Sequence, residues 1–223
     1  MSNMTRRAII SAAAATAAGS AAAAERPAVA YEIKPLPFDA AGIAGFSEEL
    51  LRSHHEKNYA GAVKRLGAIE TRLAAIDVAA EPGFALNGLK REELIALNST
   101  ILHEVYFASF KGAVSPDKKL AAQIAEDFGS DERWRAEFAA MGRALGGGSG
   151  WALLTFSPRA GRLINIWAAD HTMTAADGTI LVALDMYEHA YAMDYGADAA
   201  AYVAAYMAAL RWDHACLTFK RAA

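Results

Sequence analysis

The chain has 223 residues, 54% hydrophobic and 21% charged, which is enough to bury a full core as one domain or two small packed ones. The formal net charge is -3, and the lysines and arginines alternate with acids instead of forming a basic run, which argues against a nucleic-acid partner. The single cysteine, Cys216, excludes an intrachain disulfide, and its neighbours Ala215 and Leu217 suit a buried structural thiol.

Residues 1–24 differ sharply from the rest. Arg6-Arg7 precede Ala8-Ile9-Ile10 and an Ala/Ser/Gly/Thr tract ending Ala22-Ala23-Ala24. A charged start, a moderately apolar middle and small residues at a cleavage point read as an export signal, and the arginine pair points to the twin-arginine route and a periplasmic destination. The tract is short and broken by Gly and Ser, so no stable membrane anchor is expected after processing.

Residues 25–114 read as an N-terminal helical-hairpin domain. After a Pro-containing extended lead-in over Tyr31–Phe38, apolar residues recur at three- and four-residue steps from about Ala41 to Ile76, which predicts a helix. Glu81-Pro82-Gly83 is a break, and Leu89–Phe110 is helical again, so an antiparallel pair is expected. Residues 115–223 read as a C-terminal α+β domain. Pro116–Phe128 and Asp131–Leu145 are predicted helices, stopped by Gly129 and Gly146-Gly147-Gly148. Trp151–Phe156, Leu163–Trp167 and Ile180–Leu184 are predicted strands of a small antiparallel sheet. Met186–Met193 and Asp198–Trp212 are predicted to return to helix. Helices first, then a small sheet flanked by helices, define an α+β fold. Gly146–Gly150 lacks the Lys-Ser/Thr that a phosphate loop requires and is better read as a helix stop.

Six histidines are present, and His54 and His103 fall on apolar helix faces. Either one alone reads as a satisfied core residue. Asp185 and His189 are four residues apart, which on a helical turn would put a carboxylate and an imidazole on one face. Three imidazoles and one carboxylate suit iron, manganese or zinc. Paired Glu-x-x-His motifs are missing, which argues against a di-iron carboxylate bundle.

The segment Leu184-Asp-Met-Tyr-Glu-His-Ala-Tyr191 resembles the C-terminal hallmark of the iron/manganese superoxide dismutases, usually D-x-W-E-H-A-Y. Gly148-Ser-Gly-Trp151 and Phe128-Gly-Ser130 resemble two further motifs of that family, and the resemblance runs from Ile33 onward. It implies one iron or manganese ion per chain, held by His54, His103, Asp185 and His189, a bound solvent molecule as fifth ligand, and superoxide as substrate. It also implies that His171 is the catalytic donor to that solvent, that Trp151 and Tyr187 wall the metal, and that Glu188 pairs across a homodimer with the partner's fourth ligand.

Three positions depart from the family pattern. Asn58 stands where a His is usual, Ala62 where a funnel Tyr is usual, and Ala192 where a Tyr contacts that His across the dimer. Tyr59 and His55 lie five and one residues beyond His54, which on a regular helix puts them on other faces. The reading is therefore a superoxide dismutase converting superoxide to dioxygen and hydrogen peroxide, with a non-enzymatic or weakly active metal-binding paralogue as the alternative.

Overall fold

The computed structural model describes residue 27 and residues 29–223, so the export signal expected in residues 1–24 lies outside the described residues. A short 3-10 turn, Ala40–Gly42, precedes α1 (Glu48–Ser53), a π-helical segment (His54–Tyr59) and α2 (Ala60–Ala75). The helix predicted from Ala41 thus starts at Glu48, because Ser47 caps it: its hydroxyl accepts from Leu50 N, and Glu48 and Glu49 sit on the positive end of the helix dipole. The long α3 (Gly83–Ala108) begins directly after Pro82, earlier than its apolar periodicity suggested. Proline's fixed φ and missing N–H are tolerated at a helix start, where the chain needs no donor.

The helices α2 and α3 are antiparallel. As the chain moves forward through His54, Tyr59 and Arg65, their partners Phe107, Glu104 and Glu92 run backward. Leu66, Ile69 and Leu73 of α2 and Ala96 of α3 close a small core between them. The C-terminal half follows with α4 (Lys118–Phe128) and α5 (Asp131–Ala144), each started by a side-chain cap, Asp117 and Ser130. Strands β1 (Trp151–Ser157), β2 (Arg162–Ala168) and β3 (Thr179–Asp185) form an antiparallel sheet in the order β2-β1-β3. Every residue of β1 is buried, as befits a central strand covered on both faces.

The predicted helix over Met186–Met193 is mostly not one. The chain makes a 3-10 turn at Glu188–Ala190 and a single short helix, α6 (Ala192–Tyr195). Then α7 (Ala199–Ala209) ends at Leu210, whose ψ of 131° is extended, and a separate α8 (Asp213–Ala222), absent from the sequence reading, closes the chain. Two contacts fix the site's lower edge. Trp151 opens β1 opposite Asp185, the last residue of β3. Gly150, with φ +132°, must lack a side chain, since a Cβ would lie 2.2 Å from the Ala168 carbonyl oxygen. None of the helices among the described residues is long and apolar enough to cross a membrane.

Candidate metal centre

Four side chains from three parts of the chain converge where the helical pair meets the end of β3. His54 opens the π segment, His103 lies in α3, Asp185 ends β3, and His189 sits in the turn that follows. Their potential ligand atoms all lie within 4.8 Å of one another. The Asp185 Oδ2 is the hub: His54 Nε2 is 3.1 Å away, His189 Nε2 3.2 Å and His103 Nε2 3.7 Å. His54, His103 and Asp185 are buried, whereas the His189 side chain keeps 28% of its surface exposed.

Asp185 and His189 meet, but not as the sequence suggested. The expected helical turn is a strand end followed by a tight turn. Asp185 Oδ1 accepts from Tyr187 N at 2.9 Å, and its carbonyl accepts from Tyr202 Oη at 2.7 Å. One carboxylate oxygen is thus spent on the turn and the other is left for the imidazoles. A short acidic side chain bonding two residues ahead is the usual way such a turn is set.

The donor set fits a metal ion. His103 Nδ1 donates to the Ser99 carbonyl at 2.6 Å, which leaves Nε2 as the lone-pair nitrogen facing the cluster, buried and without a hydrogen-bond partner. An orphaned buried polar atom of this kind costs free energy unless something binds it. Burial holds both His54 and His103 below the ordinary histidine range, His103 down to about 3 with the neighbouring His54 adding to the effect. Both rings are therefore neutral near pH 7, as ligands must be. Burial alone would raise the Asp185 carboxyl, but hydrogen bonds from His189 and His54 outweigh it and hold the group well below the carboxylate range. An ionised carboxylate beside the neutral His54 and His103 rings is a cation site, and a cation there would take the place of the protons through which the His54 and His189 Nε2 atoms bond Asp185 Oδ2.

The residues expected around this cluster are partly gathered there. Trp151 is fully buried, with its ring edge-on to His103 at 5.3 Å. His171 lies in the loop between β2 and β3, 5.7 Å from the Trp151 ring and stacked on Tyr187 at 5.0 Å. Burial lowers the His171 pKa. Its loop is shaped by Asp170, whose Oδ1 accepts from Thr172 N and Oγ1. Glu188 is exposed beside His189. Asn58 and Ala62 are half-buried, and Ala192 is exposed.

One nearby residue corrects the sequence reading. Tyr59 was expected on another helix face, yet it is buried and its ring lies 6.5 Å from that of His103. The i→i+5 spacing of the π segment is the cause, since it turns residue 59 inward beneath residue 54. The Tyr59 hydroxyl donates to Glu104 Oε1 at 3.1 Å and accepts from Lys34 N at 3.0 Å. It therefore lines a separate cavity of about 230 Å³ with Lys34, His55, Glu104 and His214, and does not bond any of the four clustered residues. Sequence reasoning also missed Asn98, whose Nδ2 donates to the His171 carbonyl at 2.5 Å, and Tyr202 behind Asp185. Nothing in the spacing of Asn98 separates it from an ordinary polar helix residue.

A helical pair packed on a three-stranded α+β half, with three imidazoles and one carboxylate at their junction, has the donor set of a mononuclear metal-binding protein. Residues 116–217 match the family model for iron/manganese superoxide dismutases, C-terminal domain. The chain is 61% identical over 192 residues to "Superoxide dismutase [Fe]" of Cupriavidus metallidurans, covering 86% of this chain and 98% of that one. It is 33% identical over 200 residues to "Superoxide dismutase [Mn] 2" of Haloferax volcanii, covering 87% and 98%, and 31% identical over 189 residues to "Superoxide dismutase [Fe]" of Pyrobaculum aerophilum, covering 82% and 89%. The chain belongs to the iron/manganese superoxide dismutase family, whose members are oxidoreductases.

Proposed function

We propose that this protein dismutates superoxide to dioxygen and hydrogen peroxide at one iron or manganese ion held by His54, His103, Asp185 and His189. The observation that carries the reading is the set of three imidazole nitrogens around one buried carboxylate oxygen, with His103 Nε2 otherwise unpartnered. The ion, when bound, supplies a one-electron couple that alternately oxidises and reduces superoxide.

Everything else is the work of side chains. Asp185 brings one negative charge, and the His54 and His103 imidazoles stay neutral because they are buried. His103 Nδ1 donates to the Ser99 carbonyl and Asp185 Oδ1 accepts from Tyr187 N–H, so two of the four side chains are fixed in orientation. Trp151 and Tyr187 exclude bulk water from one side, while the exposed edge of His189 leaves access for a small anion. His171 stands as hydrogen-bond donor beside the cluster. A homodimer in which Glu188 of one protomer bonds His189 of its partner follows from the family resemblance, whereas export through the twin-arginine route is read from the arginine pair and the small-residue tract of residues 1–24.

Asn58, Ala62 and Ala192 support a second reading, in which the site binds metal but turns over slowly, since none of the three carries a group that titrates near neutral pH. Elemental analysis together with superoxide turnover per bound ion separates the two. Stoichiometric iron or manganese with dismutation above that of the free metal is expected. Full metal with none would leave only the metal-binding reading.

A further inference from the structure

His171 has one ring nitrogen engaged and one orphaned. Its Nδ1 lies 3.2 Å from the Tyr187 hydroxyl oxygen, and the two rings stack at 5.0 Å with 27° between their planes. Asn98 Nδ2 fixes the backbone of the same residue by donating to its carbonyl at 2.5 Å. The other ring nitrogen, Nε2, is buried and has no hydrogen-bond partner. Three attachments thus hold a histidine whose free nitrogen sits in the wall beside His103 and Trp151.

A neutral imidazole carries its proton on one nitrogen only, and the partner of the other nitrogen decides which. Two arrangements are open. If Nδ1 held the proton and gave it to the Tyr187 oxygen, Nε2 would present a bare lone pair in a buried wall. The negative charge of Asp185 favours a protonated nitrogen on this ring, and the only ring nitrogen without a partner in the wall is Nε2. If the Tyr187 hydroxyl donates to Nδ1, Nε2 carries the proton and the wall presents an N–H. Only the second arrangement offers an anion a donor.

We propose that Tyr187 is a positioning residue that locks His171 in its Nε2–H form by donating its hydroxyl proton to Nδ1, so that the wall of the metal centre presents a hydrogen-bond donor to an incoming anion. The inference rests on the superoxide dismutase reading for the identity of that anion, but its geometry does not. Tyr187 thereby does from behind the ring what the missing polar groups at Ala62 and Ala192 do not do from the funnel. The hydroxyl is the part that matters, because a phenylalanine would keep the ring stack and lose the lock.

The test is nitrogen-15 NMR of the full chain labelled in histidine and loaded with zinc as a diamagnetic stand-in. In the wild type, His171 Nε2 is expected to resonate as a protonated, pyrrole-type nitrogen and Nδ1 as an unprotonated one. Tyr187→Phe should convert this single form into a mixture and weaken azide binding to the iron-loaded protein about ten-fold, the low end of what losing an outer partner costs. A wild type protonated at Nδ1 overturns the proposal without recourse to any variant. A Tyr187→Phe protein that keeps the pure Nε2–H form overturns it equally, since something other than the hydroxyl would then set the tautomer. Neither result bears on whether the iron- or manganese-loaded wild type dismutates superoxide, so the two readings fail separately.

Discussion

The ligand cluster and the rim around it are built to different standards. Inside, His54, His103 and Asp185 are at most 2% exposed, and backbone groups hold the His103 and Asp185 side chains by direct hydrogen bonds. At the three positions where the family resemblance implies a rim, Asn58 and Ala62 are half-buried, Ala192 is exposed, and two of the three side chains end at a methyl group. The contrast teaches that a buried charge admits few solutions, because each polar atom there must be paired or must bind something. A solvent-facing rim can lose a hydroxyl or an imidazole and have water take its place. On the proposed reading, metal binding and fast turnover are separable properties of this fold.

The strongest way to break the contrast is to remove the hub. Asp185→Ala should take metal content from stoichiometric to near zero, as measured by elemental analysis of the folded protein. It also leaves the His54 and His189 nitrogens without their partner, at a cost of about 1–3 kcal/mol in the unfolding free energy measured by denaturant titration. Retained metal would show that the hub is not the carboxylate.

Acid should act next, and only on the inside. His103 is held at about 3 against an ordinary value of 6.5. A group with a depressed folded-state pKa contributes stability that is complete above its unfolded value and is lost as pH falls through the folded one. His103 therefore removes about 2 kcal/mol from the metal-free protein between pH 7 and pH 5. Asp185 acts in the same direction at lower pH, from about 3.8 downward. Urea midpoints of the metal-free chain at the two pH values check this, and equal midpoints would contradict it.

Glu188→Ala tests whether the partly exposed His189 depends on a second copy of the chain. Sedimentation should show weakened dimers together with reduced metal retention, and a loss of one without the other would separate the two roles. A smaller effect is expected at the rim. Asn58→His with Ala62→Tyr and Ala192→Tyr should raise turnover per bound ion while leaving metal content unchanged, provided that the added volume is accommodated. The least disruptive change is Ser47→Ala, which removes the cap of α1 and its bond to Asp194 Oδ1. It should cost about 1 kcal/mol of stability with metal content intact, since both groups are exposed and remote from the hub.

Much of the site was legible because a ligand set needs particular residue types. Asp185 and His189 lie in a motif, and His54 and His103 were singled out as imidazoles on apolar faces. The strands were placed within two residues of their observed ends, because alternation and bounding glycines mark a short buried sheet. Helix starts were less legible. Ser47 and Pro82 set them through a single hydrogen bond and a ring constraint, which apolar periodicity does not report. The π segment was not legible at all, since its hydrogen bonds are backbone ones and the residues His54–Tyr59 would fit a regular helix equally well.

The sequence by itself determined that this chain holds three imidazoles and one carboxylate in the order of a redox metal site, within an α+β frame. Tertiary structure alone decided how they meet. Asp185 and His189 come together across a strand end and a turn because Oδ1 is captured by the Tyr187 N–H. Tyr59 turns inward yet bonds Glu104 in place of the cluster, because a π turn rotates it and the lead-in at Lys34 holds its hydroxyl. His171 acquires its place from Asn98 and Tyr187, 73 and 16 residues away in the chain. Composition and spacing fix which groups are available. The direction in which each hydrogen bond points depends on neighbours that only folding brings near.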